Sequence, residues 1–126
     1  MIDIQKQVAY WRSGAEEDWA VARDLVTRGR PRHGLFFAHL ALEKVLKAHV
    51  CLKTRNLPPR THNLLRLAAM AGLGLAEKHE ETLGQMNSFA LEGRYPETLP
   101  PVPTEEEARA YLPRVEEVLR WLISQL

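Results

Sequence analysis

Cysteine is almost missing from this sequence. Cys51 is the single one, so no internal disulfide can form and no zinc site built on several thiolates is available. A lone thiol fits a reducing compartment and is expected to serve as packing. Long apolar runs are missing too, because no window approaches the ~20 consecutive apolar residues that a membrane span requires. The opening stretch MIDIQKQVAYWRSGAEEDW has neither the basic start nor the apolar run of a secretory leader. The expectation is a protein of the cytoplasm, away from the membrane. Charge of one sign is scarce as well: the formal net charge is +1. The general basic surplus by which nucleic-acid binders neutralise phosphate is absent, and only a local patch stays open. No Gly-rich phosphate loop, HExxH or GxSxG occurs, which removes the common nucleotide and hydrolase signatures. No alternating strand pattern, internal repeat or low-complexity tract is found either.

What is present is helical periodicity. The stretch from Leu35 to Leu52 repeats Leu35, Ala38, Leu42, Val45, His49 and Leu52 in steps of three and four, which keeps one side of a helix turned to a core. Only His49 breaks that apolar series, and it is expected to be a neutral buried residue with one hydrogen-bond partner. Before it, Val8, Trp11, Ala15, Trp19, Ala22 and Val26 define a first helix from Asp3 to about Thr27. Ser13-Gly14 weakens its middle, so its ordered part is expected to begin near Ala15. Gly29-Arg30-Pro31 ends it and opens the second helix, from about Arg32 to Lys53.

After the Asn56-Leu57-Pro58-Pro59 breaker, a short third helix follows Thr61 or Asn63 as N-cap, with Leu64, Leu67 and Ala68 inward. Leu75 to Leu91 reads as a fourth helix, closed by Gly93-Arg94-Tyr95-Pro96. The PETLPPVP segment holds four prolines and is expected to run extended without regular structure. Thr104-Glu105-Glu106-Glu107 is a capping box that starts the last helix, which Pro113 is expected to bend or interrupt. The 126 residues thus make one all-α domain, residues 1–126, an up-and-down bundle of four long helices and one short helix.

Around the second helix at 100° per residue, Phe36, Leu40, Glu43, Lys44 and Lys47 fall together, away from the main apolar side. Glu43 and Lys47 are placed as an i, i+4 pair worth ~0.3–0.5 kcal/mol. Phe36 and Leu40, two large apolar groups on a stripe expected to face solvent, mark a partner surface, most simply for a second copy of the chain. The histidines are scattered, with no two at the i, i+4 spacing of a helical metal pair, so no metal is expected.

Three segments together, ALEKVLKA from Ala41, THNLLRL from Thr61 and RYPE from Arg94, resemble the HEPN family, the higher eukaryotes and prokaryotes nucleotide-binding domain. The resemblance spans nearly the whole chain. It implies a four- or five-helix bundle that dimerises or forms a higher homo-oligomer, often encoded beside a minimal nucleotidyltransferase in a two-gene toxin–antitoxin module. Many members are metal-independent ribonucleases with an Arg-x4-6-His motif where two protomers meet. In such chemistry a histidine moves a proton and an arginine stabilises the phosphorane. Arg28 to His33, Arg32 to His39 and Arg55 to His62 all satisfy that spacing here, which shows how permissive it is. The motif belongs late in the bundle, near Arg94, and YPETLPPVP after Arg94 has no histidine. This departure counts against nuclease activity, for which His62 and Arg94 are the pair to test.

The resemblance therefore implies a non-catalytic binding or regulatory module, working with a nucleotidyltransferase partner, with nucleotide as ligand and no cofactor. Its candidate ligand-binding residues are Glu43, Lys44, Lys47, His62, Arg94 and Tyr95, the cations for phosphate and Tyr95 for stacking on a base. The alternatives are a ribonuclease toxin acting on RNA and a purely structural interaction bundle. In the bland reading of the same residues, Lys44 and Lys47 are solvated charges, His62 bonds backbone at a helix start, and Arg94 with Glu43 is a structural ion pair that anchors the proline-rich segment.

Overall fold

The computed structural model describes residues 2–91 and 95–126, and among these the chain is helical with no strand. Helix α1 runs Ile4–Thr27 and is opened by Asp3, whose carboxylate accepts from the Lys6 amide at 3.1 Å. It is continuous through Ser13-Gly14, so the expected late start near Ala15 is corrected. The reason is packing: a Cβ on Gly14 would stand 3.0 Å from Lys44 Cδ, and the bare glycine lets that side chain cross α1.

Helix α2, Pro31–Thr54, folds back antiparallel to α1 after a short turn. The two helices pack tightly at Gly34, where a Cβ would lie 2.4 Å from Val26 Cγ2 and 3.0 Å from the Val26 amide nitrogen. Only glycine fits there. The α2 periodicity delivers most of its inner face: Leu35, Ala38, Leu42 and Val45 are fully buried against Ala15, Trp19, Ala22 and Val26 of α1, whereas Leu52, expected to end that face, is exposed in the last turn of the helix. Removing each of the larger of these from water is worth roughly 1.5–3 kcal/mol.

Helix α3, Leu64–Met70, is capped by Asn63, which accepts from the Arg66 amide at 3.2 Å. The expected fourth helix is shorter than the sequence suggests. It spans α4, Glu77–Met86, and tightens into a 3₁₀ turn at Asn87–Phe89. The proline-rich segment also contains a short 3₁₀ turn, Pro96–Thr98, where extended chain was expected, because Thr98 bonds the Tyr95 carbonyl through both its amide and its hydroxyl, each at 3.0 Å.

Helix α5, Glu105–Ser124, starts with the full capping box: Thr104 Oγ1 accepts from the Glu107 amide at 3.0 Å and Glu107 Oε1 accepts from the Thr104 amide at 3.1 Å. It continues past Pro113 without interruption. Pro113 is exposed, so water can satisfy the carbonyl that lost its donor. α5 returns parallel to α2, with Val115, Val118, Leu119 and Leu122 closing the core. His49 ties the two together, Nε2 lying 2.7 Å from the Leu122 carbonyl. Burial holds its pKa below the ordinary histidine value, so Nε2–H donates and the ring is neutral.

Candidate functional site

Helix α2 is the central helix, and this changes the surroundings of its second stripe. Glu43 and Lys47 are buried, at 5% and 7% exposure, and Phe36, Leu40 and Lys44 are half-buried. The expectation of a solvent-facing stripe is corrected: α1 covers it from one side and the loop before α3 from the other. The Glu43–Lys47 pair exists, with Nζ 2.9 Å from Oε2, but as an interior pair beside Trp11, whose ring centre is 5.4 Å from Lys47 Nζ. Lys44 turns the other way, to Asp18 on α1 at 2.8 Å. Phe36 stacks edge-on against Phe37, their centroids 5.7 Å apart.

The second oxygen of Glu43 is taken by His62, Nδ1 to Oε1 at 2.8 Å. The Pro58-Pro59 breaker sends the chain back along α2 so that His62, just before the Asn63 cap, lands beside the middle of that helix. An ionised carboxylate only accepts, so Nδ1 carries the proton of this contact. His39, one turn before Glu43, lies with Nε2 2.9 Å from the His62 carbonyl and fixes the loop from below. The imidazole itself is outside, its side chain 43% exposed.

Beside it opens a depression of about 250 Å³ lined by His62, Asn63, Asn87 and Ala90. The amides of its rim are fixed: Asn87 Oδ1 accepts from the Leu64 amide at 2.8 Å and Asn87 Nδ2 donates to Asn63 Oδ1 at 3.2 Å. What the arrangement can do is bind a polar, planar group with an imidazole and two oriented amides, or relay a proton through the His62 ring. Among the described residues no group of three His, Cys, Asp or Glu side chains could hold a metal ion.

Of the residues singled out from the sequence, Glu43, Lys47 and His62 come together, while Lys44 belongs to the α1 contact. Tyr95 is 74% exposed in the segment leading to Pro96. Arg94 lies outside the described residues. The sequence reading missed His39, Asn87 and Trp11. Asn87 carries no local signal, since its partners are more than twenty residues away. His39 did carry one, standing one helical turn before Glu43.

The family model described as "HEPN domain" matches residues 8–126. The chain belongs to the HEPN domain family. Its fold is shared by TT1696 from Thermus thermophilus, with a TM-score of 0.78 at 22% identity over 95% of this chain and 98% of that one. It is shared also by ST0689, described as an archaeal HEPN homologue, with a TM-score of 0.74 at 18% identity over 94% of this chain and 96% of that one. No curated protein matches the chain significantly. Identities this low speak for the HEPN fold alone. No helix among the described residues is long and apolar enough to cross a membrane.

Proposed function

We propose that this HEPN chain is a non-catalytic binding and regulatory module whose ligand contact is His62 with the amide rim beside it, and that its ligand is a nucleotide. The observation that carries the reading is the inward turn of both nearby lysines. Lys44 is engaged by Asp18 and Lys47 by Glu43, so neither stands at the rim to stabilise a phosphorane. The rim, among the described residues, is an imidazole and two fixed amides, groups that read the edge of a base. A space of about 250 Å³ is below the roughly 300–1,000 Å³ of pockets that enclose a whole ligand, so one chain takes only part of a nucleotide. Membership in the HEPN family supports self-association, with Phe36 and Leu40 as the contact, and work beside a minimal nucleotidyltransferase in a two-gene toxin–antitoxin-like system.

Calorimetric titration with ATP tests the ligand: saturable binding to wild type that His62→Ala abolishes is expected. Co-expression with a nucleotidyltransferase encoded beside it tests the partner, and recovery of the HEPN chain alone would remove that part.

One observation favours ribonuclease as the second reading. A carboxylate that orients an imidazole is the geometry of a general base, and Glu43 does this to His62. RNA cleavage in EDTA that His62→Ala abolishes would establish it in place of the binding module.

A further inference from the structure

The near-neutral total conceals a segregation of charge. Between Lys44 and Ala76 stand six cations and not one Asp or Glu. Lys44 and Lys47 turn inward, whereas Lys53, Arg55, Arg60 and Arg66 are exposed, and none of the four has an ion-pair partner among the described residues. The same stretch exposes Leu52, Leu57, Leu65 and Met70, half of the exposed large hydrophobic residues of the described chain. Arg55 adds a further sign. It caps α2 in the left-handed region at φ 57°, where glycine or asparagine is at ease and an arginine is not. Nucleic acid is a poor match for such a face, because bases stack on aromatic rings and no Phe, Tyr or Trp occurs between Phe37 and Phe89, which leaves His62 as the one exposed ring among residues 52–70. Exposed leucine, methionine and arginine together are the composition of a protein contact.

The chain itself contains the complementary surface. From Tyr95 to Ala108 there are acids and no cation; Glu97 and Glu106 are exposed without an ion pair among the described residues, and Val102 is exposed beside them. This strap lies at the opposite end of α2 from Arg55. Arg32, in the first turn of α2, donates to the Pro100 carbonyl at 3.2 Å, and Glu105 Oε1 would be 2.8 Å from a Cβ on Gly29. With 24 residues, α2 is roughly 36 Å long, too far for strap and basic face to meet within one chain. A two-fold axis across the middle of α2 exchanges its ends.

We infer that the 95–107 strap of one copy docks on the 52–70 face of a second copy, and reciprocally, forming a two-fold dimer held by two identical acid-on-base contacts. The inference rests on the reading that the chain self-associates, and it adds to Phe36 and Leu40 the two charged ends as the contacts that hold the dimer.

Sedimentation equilibrium of the full chain tests it, at about 50 mM and about 500 mM NaCl, where exposed charge pairs are respectively retained and largely screened. Wild type is expected to dimerise at low salt, with a dissociation constant at least tenfold higher at high salt. Arg55→Glu/Arg60→Glu and Glu97→Lys/Glu106→Lys are each expected to be monomeric at low salt with wild-type helical circular dichroism. Mixed in equal amounts they should form a heterodimer, because both contacts then join opposite charges again. A wild-type dimer that either double variant retains would overturn the docking and leave self-association standing through Phe36 and Leu40. Monomeric variants that fail to pair when mixed would overturn it equally. A wild type that is monomeric at both salts would remove self-association itself.

Discussion

His62 Nδ1 lies 2.8 Å from Glu43 Oε1, and the two residues sit on opposite sides of the protein surface boundary: the carboxylate is buried, the imidazole is 43% exposed. A buried anion is stable only with its charge answered, and Lys47 answers it from the other oxygen at 2.9 Å. The ring is therefore held at the surface by an interior ion pair. That is how a helix expected to carry only packing comes to position a ligand contact.

Breaking this pair from one side should be costly. Lys47→Met leaves Glu43 without its fixed cation and is expected to destabilise the fold by about 3–5 kcal/mol in urea unfolding. Glu43→Gln/Lys47→Met should restore part of that loss, the two substitutions being non-additive by about 0.5–3 kcal/mol. Strict additivity would mean that the two groups do not interact.

Two glycine-to-alanine changes should move stability in opposite directions. At Gly34 the new methyl meets Val26 at 2.4 Å, with helix backbone behind it, so the α1–α2 contact must open and a loss of about 1–3 kcal/mol is expected. At Gly84, inside α4, the nearest atom is Leu65 Cδ1 at 3.6 Å, ordinary contact, and the gain in helix propensity should raise stability by about 0.5–1 kcal/mol. Thermal unfolding of the two single variants decides both.

His49 makes stability depend on pH. Its pKa is lowered in the folded protein by burial, so the unfolded chain binds the proton more readily. The stabilising contribution is full above the unfolded value near 6.5 and is lost as pH falls below it toward the folded value, at no more than ~1.4 kcal/mol per pH unit. His49→Gln can keep a donor near the Leu122 carbonyl without titrating, and should flatten the melting-temperature profile between pH 7.5 and 5. An unchanged profile would assign the acid sensitivity to other groups.

Arg55→Gly should stabilise the monomer by about 0.5–1 kcal/mol, since glycine takes φ 57° without the Cβ penalty. Measured by chemical denaturation at high salt, a loss of stability would show that the arginine side chain itself supports the fold.

Much of the bundle was legible because periodicity reports a buried face directly: Leu35, Ala38, Leu42 and Val45 are all fully buried. So were Asn63 and the Thr104–Glu107 box, which act within one turn. The surroundings of Glu43 were not legible. A helical wheel shows which residues share a side, and not how many sides have neighbours. The available clue was that Val50 and Cys51, off the side of the Leu35 series, are apolar too, as expected of a helix covered all round. Gly14 misled for a similar reason, because its cost to the isolated helix is offset by the path it opens for Lys44. Partners such as Asn87 for Asn63 depend on how α4 returns along α3, which no local pattern contains.

The most direct measurement of the binding site is an amide and imidazole NMR titration of the chain with ATP. The expected result is a set of saturable shifts centred on His62, Asn63 and Asn87, absent in His62→Ala while His49 and the Thr104 cap stay unmoved. Shifts scattered over the surface without saturation, or none at all, would contradict the assignment of that rim as a nucleotide contact.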